Sequence, residues 1–506
     1  MHISHPLLRP GTLEAREYQQ QIFAKAAEKN VLVVLPTGLG KTPIAILLAA
    51  HRLEKFPGSK IMVLAPTKPL SEQHRKSFAH FLNMESDKFA AITGAIPPQK
   101  RAKIYSDGQL FFATPQTVEN DINSGIFSFK DFSLLVIDEM HRGVGKYAYP
   151  FVAQKYAEQA ANARILGLTA SPSSDYETVN EICENAYIED VEIRAEEDED
   201  VAPYVQQKIL EWVDVELPSS FLEIRSRLAE AYEEKVESLR KMGLRIPAKA
   251  GKKVLLSFQK SLIRELSSGN RRAIIAMSML NQAIKIDHAL TLLETQGIVS
   301  LENYFKKLRE DPKAQRLLKN RKVEQAQFLA NSLFLSGAKH PKMAMLCSIV
   351  SAELARSAES KIIVFANYRD MVGQIVDSLS KIENARPVAF MGQKSLSQKE
   401  QIAILEDFRS GKYNVLVGTS VSEEGLDIPA MDTAVFYEPV PSEIRSIQRR
   451  GRVGRHSAGR VIVLITKKTR DEAFYWSARN KERKMKRIMR GMKGGMISGF
   501  ANTNSG

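Results

Sequence analysis

The sequence predicts an α/β chain in which two parallel-sheet domains are separated by an all-helical insert. Three observations carry this. Ahead of residue 200, five short apolar runs alternate with helical patterns, which is the arrangement of right-handed βαβ units. Between about Ser219 and Ser336 the spacing is helical, with lysine and arginine on the polar side and almost no strand signal. After His340-Pro341 the alternation of strand and helix resumes. A length of 506 residues agrees with several domains of roughly 100–200 residues each, and we place them at 1–200, 201–340 and 341–470, with a basic helical tail over 471–506.

Taken in order, the first apolar run, Val31 to Leu35, ends in Pro36-Thr37-Gly38-Leu39-Gly40-Lys41-Thr42 and leads into a helical stretch, Ile44 to His51. A strand, a Gly-rich turn and a helix N-terminus aim backbone N–H groups at one point, where a triphosphate can be held. Lys41 would reach the β- and γ-phosphates and the Thr42 hydroxyl would take a place on Mg²⁺. Leu35 stands where the strict phosphate-loop signature has Gly, so Pro36-Thr37-Gly38 must supply the turn.

The next four runs each end in polar residues: Thr67-Lys68 after Ile61 to Ala65, Thr114 and Gln116 after Leu110 to Ala113, Asp138-Glu139 after Leu134 to Ile137, and Thr169 and Ser171 after Ile165 to Leu168. In a parallel sheet these ends lie on one rim, where ligands bind. Two carboxylates closing an apolar strand are costly without compensation. Asp138 could hold the metal that Thr42 also meets, and Glu139 could orient and deprotonate a water. A plain helix cap is the alternative, demoted by the pairing with Lys41.

Glu196 to Asp200 is an acidic run that marks a boundary. In the helical insert, Arg245, Lys249, Lys252, Lys253, Arg271 and Arg272 cluster near probable helix ends, where a phosphate could be met. In the second α/β region the runs are Ile362 to Ala366, Pro387 to Phe390, Val415 to Gly418, Thr433 to Tyr437 and Val461 to Ile465, with no phosphate loop. That region carries Gly418 to Asp427 and an arginine cluster with five arginines in the eleven residues from Arg445 to Arg455. Fixed guanidinium forks suit a γ-phosphate presented by the other domain.

The net charge of +14 favours a polyanionic partner, with nucleic acid the usual one. Two cysteines, Cys183 and Cys347, make neither a disulfide framework nor a zinc site. No apolar run reaches the ~18 residues of a membrane span, and Met1 to Gly11 has no signal-peptide core, so we expect a cytoplasmic protein with no membrane partner.

The ordered series PTGLGKT, APTKPL, TPQT, DEMH, TAS, VFANYRD, GTSVSEEGLD and QRRGRVGR, spanning residues 16 to 455, resembles the superfamily 2 helicases and translocases. With its helical insert, its Gly-Leu-Thr-Ala-Ser-Pro and its Tyr437 to Arg452 block, the chain resembles the archaeal Hef-type helicases. Those are related to the Fanconi anaemia M-type DNA translocases and, more distantly, to the RIG-I-like RNA receptors. The resemblance implies two RecA-like domains closing on ATP. It also implies that Thr37, Gly38, Gly40, Lys41 and Thr42 bind the nucleotide and Mg²⁺, and that Asp138 and Glu139 are metal ligand and base. His141, Thr169 and Ser171 would couple hydrolysis to movement. Gly425 and Asp427 would approach the nucleotide, and Gln448, Arg452 and Arg455 would complete the site, the last two as arginine fingers. Gln19 would read the adenine. Thr67, Lys68, Thr114, Gln116, Asn367, Thr419 and Ser420 would contact the backbone of the tracked strand. Met140 replaces the Ala of the usual Asp-Glu-Ala-His form, a change of packing rather than chemistry.

These readings converge on an ATP-dependent DNA helicase or translocase acting on branched, forked or single-stranded DNA, with the insert sensing the branch. The alternatives are a double-stranded RNA-stimulated ATPase and a nucleotide-gated clamp without processive motion. From Lys467 to Lys493 there are eleven basic and three acidic residues, so this end is expected to carry sequence-independent DNA affinity. Glu482-Arg483-Lys484 resembles the start of an XPF-type nuclease signature, but Met489 stands where its Asp is needed, and one turn of a basic helix is the preferred reading.

Overall fold

The computed structural model describes residues 2–173, 175–205, 208–247, 250–266, 271–392, 396–419, 429, 431–439 and 459–492. Among them the first α/β unit holds β1 (Val31–Val34), β2 (Lys60–Leu64), β3 (Phe89–Ile92), β4 (Leu110–Ala113), β5 (Phe132–Ile137), β6 (Ile165–Thr169) and β7 (Asp190–Ile193). They form one sheet in the order β3-β4-β2-β5-β6-β1-β7, every pairing parallel. Helices cover both faces, which is why the strands read as continuous apolar runs. Val31, Val33, Val63 and Val136 pack into one core, while their neighbours Leu32, Val34, Leu64 and Leu135 pack into a second on the opposite face.

The second sheet contains β8 (Lys208–Val215), β9 (Ile362–Phe365), β10 (Pro387–Phe390), β11 (Val415–Gly418), β12 (Thr433–Phe436) and β13 (Gly459–Thr466), in the order β10-β11-β9-β12-β13-β8. It too is parallel throughout and buried on both faces. The strand β8 lies in the segment that the sequence reading assigns to the insert. It pairs with β13 from Lys208 opposite Gly459 to Val215 opposite Thr466. Its alternation is blurred because it is an edge strand, with Ile209, Leu210 and Trp212 exposed.

The insert is a bundle of Ser219–Lys241, Lys252–Leu266, Arg271–Thr295, Ile298–Glu310 and Arg321–Leu335, with one apolar core. Because β8 precedes it and the helix Pro341–Arg356 follows it, both ends of the bundle are rooted on the second sheet. Buried charge reinforces the junction: Arg470 reaches Asp287 at 2.6 Å, and Arg225 reaches Glu294 at 2.7 Å and donates to the Lys468 carbonyl at 2.8 Å. The basic C-terminal stretch is an integral helix, Arg470–Met492. Its Asp471 is fully buried and paired with the equally buried Lys342, and its Tyr475 and Arg479 pack on Trp212 of β8. Lys486 meets Glu197 of the acidic run at 3.2 Å. No helix among the described residues is long and apolar enough to cross a membrane.

Candidate active site and nucleic-acid interface

The turn after β1 is shaped by its own backbone. Gly40 has φ +81° as the residue preceding the helix Lys41–Lys55, and a Cβ there would lie 2.3 Å from Gln19 Nε2. Only glycine meets both conditions. Gln19 is buried and donates from Nε2 to the carbonyls of Leu39 (3.2 Å) and Gly40 (3.3 Å), while Tyr18 donates its hydroxyl to Leu39 at 2.6 Å. The Gln19 expected to read a base is thus seen bracing the loop. Lys41 Nζ donates to the Leu35 carbonyl at 3.0 Å, drawn back across the turn. Thr37 and Thr42 are half-buried on the same turn, and Gly38 is exposed at its tip.

Asp138 follows β5, two strands from β1 in the sheet. One carboxylate oxygen lies 2.7 Å from His74 Nε2, the other accepts the Glu139 N–H at 2.9 Å, and the Tyr149 hydroxyl donates to its carbonyl at 2.6 Å. Burial alone would push the Asp138 carboxyl up. The hydrogen bond with His74, the charge of Lys41 and the Glu139 N–H outweigh it and hold the group below the usual carboxylate range. Glu139 sits at φ 50°, a left-handed conformation that costs a non-glycine residue energy and turns its side chain away from the strand line. Its Oε2 lies 3.3 Å from His141 Nδ1 but makes no hydrogen bond among the described residues.

From there a chain of contacts returns to the loop. His141 Nδ1 is 3.2 Å from the Thr169 hydroxyl, which accepts the Ser171 N–H at 3.2 Å, and the Thr169 carbonyl accepts the Leu35 N–H at 3.0 Å. The three expected coupling residues therefore lie between the carboxylate of Glu139 and the start of the phosphate loop. Met140 fills space as expected: a Cβ on Gly167 of β6 would stand 1.8 Å from its Sδ.

The sheet order sorts the remaining candidates. The strands β5, β6 and β1 are consecutive and carry the groups just described, whereas β4 and β2 lie side by side on the other flank. After β2, the half-buried Thr67 accepts Leu70 N–H at 3.4 Å as a helix cap, with Lys68 exposed beside it. After β4, Thr114 pairs with Thr117 at 3.0 Å and Gln116 is exposed. In the second sheet Asn367 and Thr419 follow the adjacent strands β9 and β11, and the Asn367 N–H donates to Glu438 at 2.7 Å. Ser420, Gly425, Asp427, Gln448, Arg452, Arg455 and Lys249 lie outside the described residues.

Among the described residues no group of three or more His, Cys, Asp or Glu could hold a metal ion. Asp138 and Thr42 could serve as protein ligands of a Mg²⁺ that takes its remaining ligands from nucleotide phosphates and waters. Both Asp138 oxygens retain acceptor capacity beyond their present bonds. Sequence reasoning missed His74, which orients Asp138. The signal was available: Ser71, His74 and Phe78 form the buried stripe of the helix Lys68–Phe81 at spacings of three and four, so a histidine occupies a core-facing position.

Comparison with known proteins places this geometry. Residues 12–174 match the family model of the type III restriction enzyme res subunit. Residues 220–329 match the helical bundle of a provisionally described ATP-dependent RNA helicase, and residues 341–457 match the helicase conserved C-terminal domain. A Methanocaldococcus jannaschii protein provisionally named an ATP-dependent RNA helicase is 44% identical over 97% of this chain and 63% of its own length. The ATP-dependent DNA helicase mph1 of Neurospora crassa is 32% identical over 91% of this chain and 41% of its own length. The chain thus spans less than two thirds of either. The crystal structure of the Pyrococcus furiosus Hef helicase domain superposes with a TM-score of 0.75 at 44% identity, covering 93% of this chain and 100% of that one.

Proposed function

Because the chain belongs to the Hef family of superfamily 2 helicases, and its domains are those of an ATP-dependent helicase, we propose that it drives itself along DNA and acts on branched DNA such as stalled forks and four-way junctions, in repair or fork restart. The observation that carries this reading is the division of the first sheet's rim. Hydrolysis candidates stand over β5, β6 and β1, where His141 links Glu139 to Thr169, and nucleic-acid candidates stand over the adjoining β2 and β4. The DNA helicases among its relatives support DNA as the substrate.

In the proposed cycle the loop N–H groups and Lys41 bind the triphosphate, Lys41 exchanging its Leu35 carbonyl for phosphate oxygens. Glu139 accepts a proton from the attacking water, its left-handed backbone holding the carboxylate ready. Mg²⁺, when bound with the nucleotide, supplies charge neutralisation at the phosphates, with Asp138 and Thr42 as its protein ligands. Arg452 and Arg455 would stabilise the transferring phosphoryl group when the second domain closes. His141 and Thr169 pass the change at Glu139 to the neighbouring strand.

A second reading, a duplex RNA-stimulated ATPase, is favoured by the RNA helicase names of two relatives and one matched model. Phosphate release measured with forked DNA, linear DNA and duplex RNA separates the two. Forked DNA should stimulate most, and stronger stimulation by duplex RNA would reverse the assignment.

A further inference from the structure

Between the insert and the second sheet lies a cavity of about 390 Å³, within the ~300–1,000 Å³ range of small-molecule sites. Gln296, Ser300, Tyr304 and Lys307 line it from the insert, and Asn367 and Tyr368 from the segment after β9. Gln296 and Ser300 are 3% and 5% exposed; the Gln296 side chain faces the Tyr368 hydroxyl across the cavity, and Ser300 Oγ has no hydrogen-bond partner among the described residues. Buried donors left unpaired are costly, and such groups recur where a ligand supplies the missing acceptor. The Tyr304 ring is fixed edge-to-face against His288, centroids 4.7 Å apart, and its hydroxyl donates to the Lys285 carbonyl at 3.3 Å. Tyr368 is partly exposed, and Lys307 is exposed beside it in the lining.

We propose that this cavity takes one unstacked nucleobase of the bound strand. The unpaired Ser300 hydroxyl and the Gln296 amide beside it match a base edge, the Tyr368 ring offers a face for stacking, and the Lys307 ammonium suits the adjoining phosphate. A small free metabolite would need none of the neighbouring geometry. Asn367 stands at the carboxyl end of β9, beside β11, which Thr419 follows, so the cavity adjoins the path proposed for the tracked strand. The inference rests on that nucleic-acid reading and adds to it a pocket formed jointly by the insert and the second sheet.

The test is fork binding with a single abasic site moved step by step through the strand. Wild type should lose about 5- to 150-fold in affinity at one position, the value of one stacked base. Tyr368→Ala, a change at an exposed side chain, should lose a similar factor on intact DNA and nothing further when the abasic site occupies that position. Gln296→Leu should behave likewise, with a melting curve reporting its fold. A flat abasic scan with Tyr368→Ala binding as wild type overturns the pocket. Failure of the wild type itself to bind forks overturns the underlying nucleic-acid reading and the pocket with it.

Discussion

Lys41 and Glu139 act at different moments, so their substitutions should separate. Lys41→Ala removes charge that the bound triphosphate needs and should weaken nucleotide affinity as well as turnover. Glu139→Gln keeps the shape of the site but loses the base, and should bind ATP near normally while turnover falls roughly 10²- to 10⁴-fold. Nucleotide titration beside phosphate release measures both, and equal ATP affinity in the two variants would contradict these roles. Packing under the site is tested at Gly167. Because an added methyl would meet Met140 Sδ at 1.8 Å, Gly167→Ala should cost about 1–3 kcal/mol in urea unfolding. Adding Met140→Ala should recover part of that loss, and additive costs in the pair would deny the contact. At this scale much could be read beforehand: Asp138, Glu139, Thr169 and Ser171 each break an apolar run where a strand ends. His74 could not be assigned in this way, because its partner is 64 residues away and only the folded sheet brings them together.

Among the elements, the helix Pro341–Arg356 is where the insert rejoins the second sheet, and His340 caps it. His340 Nε2 lies 3.1 Å from the Glu294 carbonyl and Nδ1 accepts the Lys342 N–H at 3.2 Å. Burial, helped by the charge of Lys342, pushes its pKa down to about 3. An unfolded histidine titrates near 6.5, so below that pH the unfolded chain takes up a proton that the folded chain refuses. The contribution is intact above pH 6.5 and is lost as pH falls toward 3, at about 1.4 kcal/mol per unit, or roughly 2 kcal/mol at pH 5. Urea unfolding at pH 7 and pH 5 should show wild type losing about that much more than His340→Asn, and identical losses would place His340 outside the acid response. The central parallel strands were legible because both their faces are buried, which leaves unbroken apolar runs, whereas the half-buried edge strands β3 and β7 were not among the runs read. The strand β8 was not: its exposed Ile209, Leu210 and Trp212 erase the alternation, and its partner β13 lies some 250 residues further along.

For the whole molecule, the proposed action on branched DNA would draw its selectivity from the insert, because residues on the two sheets would meet only the phosphodiester backbone, which is alike in a junction and a linear duplex. Reversing the exposed Arg245, Lys252 and Arg272 to glutamate should abolish the preference for forks while single-stranded DNA still stimulates hydrolysis. A triple variant that still favours forks over linear DNA would move branch recognition elsewhere. The double rooting of the bundle on the second sheet has a mechanical meaning. A body rooted at two points and braced by Arg225, Glu294, Asp287 and Arg470 is held to turn together with the second sheet. The 25-residue helix Arg271–Thr295 is about 37 Å long at ~1.5 Å per residue, and its ion pairs lie toward the C-terminal end. Turning that arm by roughly 15°, the size of a subunit rotation in other switching proteins, would sweep its far end through about 10 Å. That equals about three base-pair steps of 3.4 Å, so a small rotation of the second unit would carry the insert over a distance on the scale of the double helix.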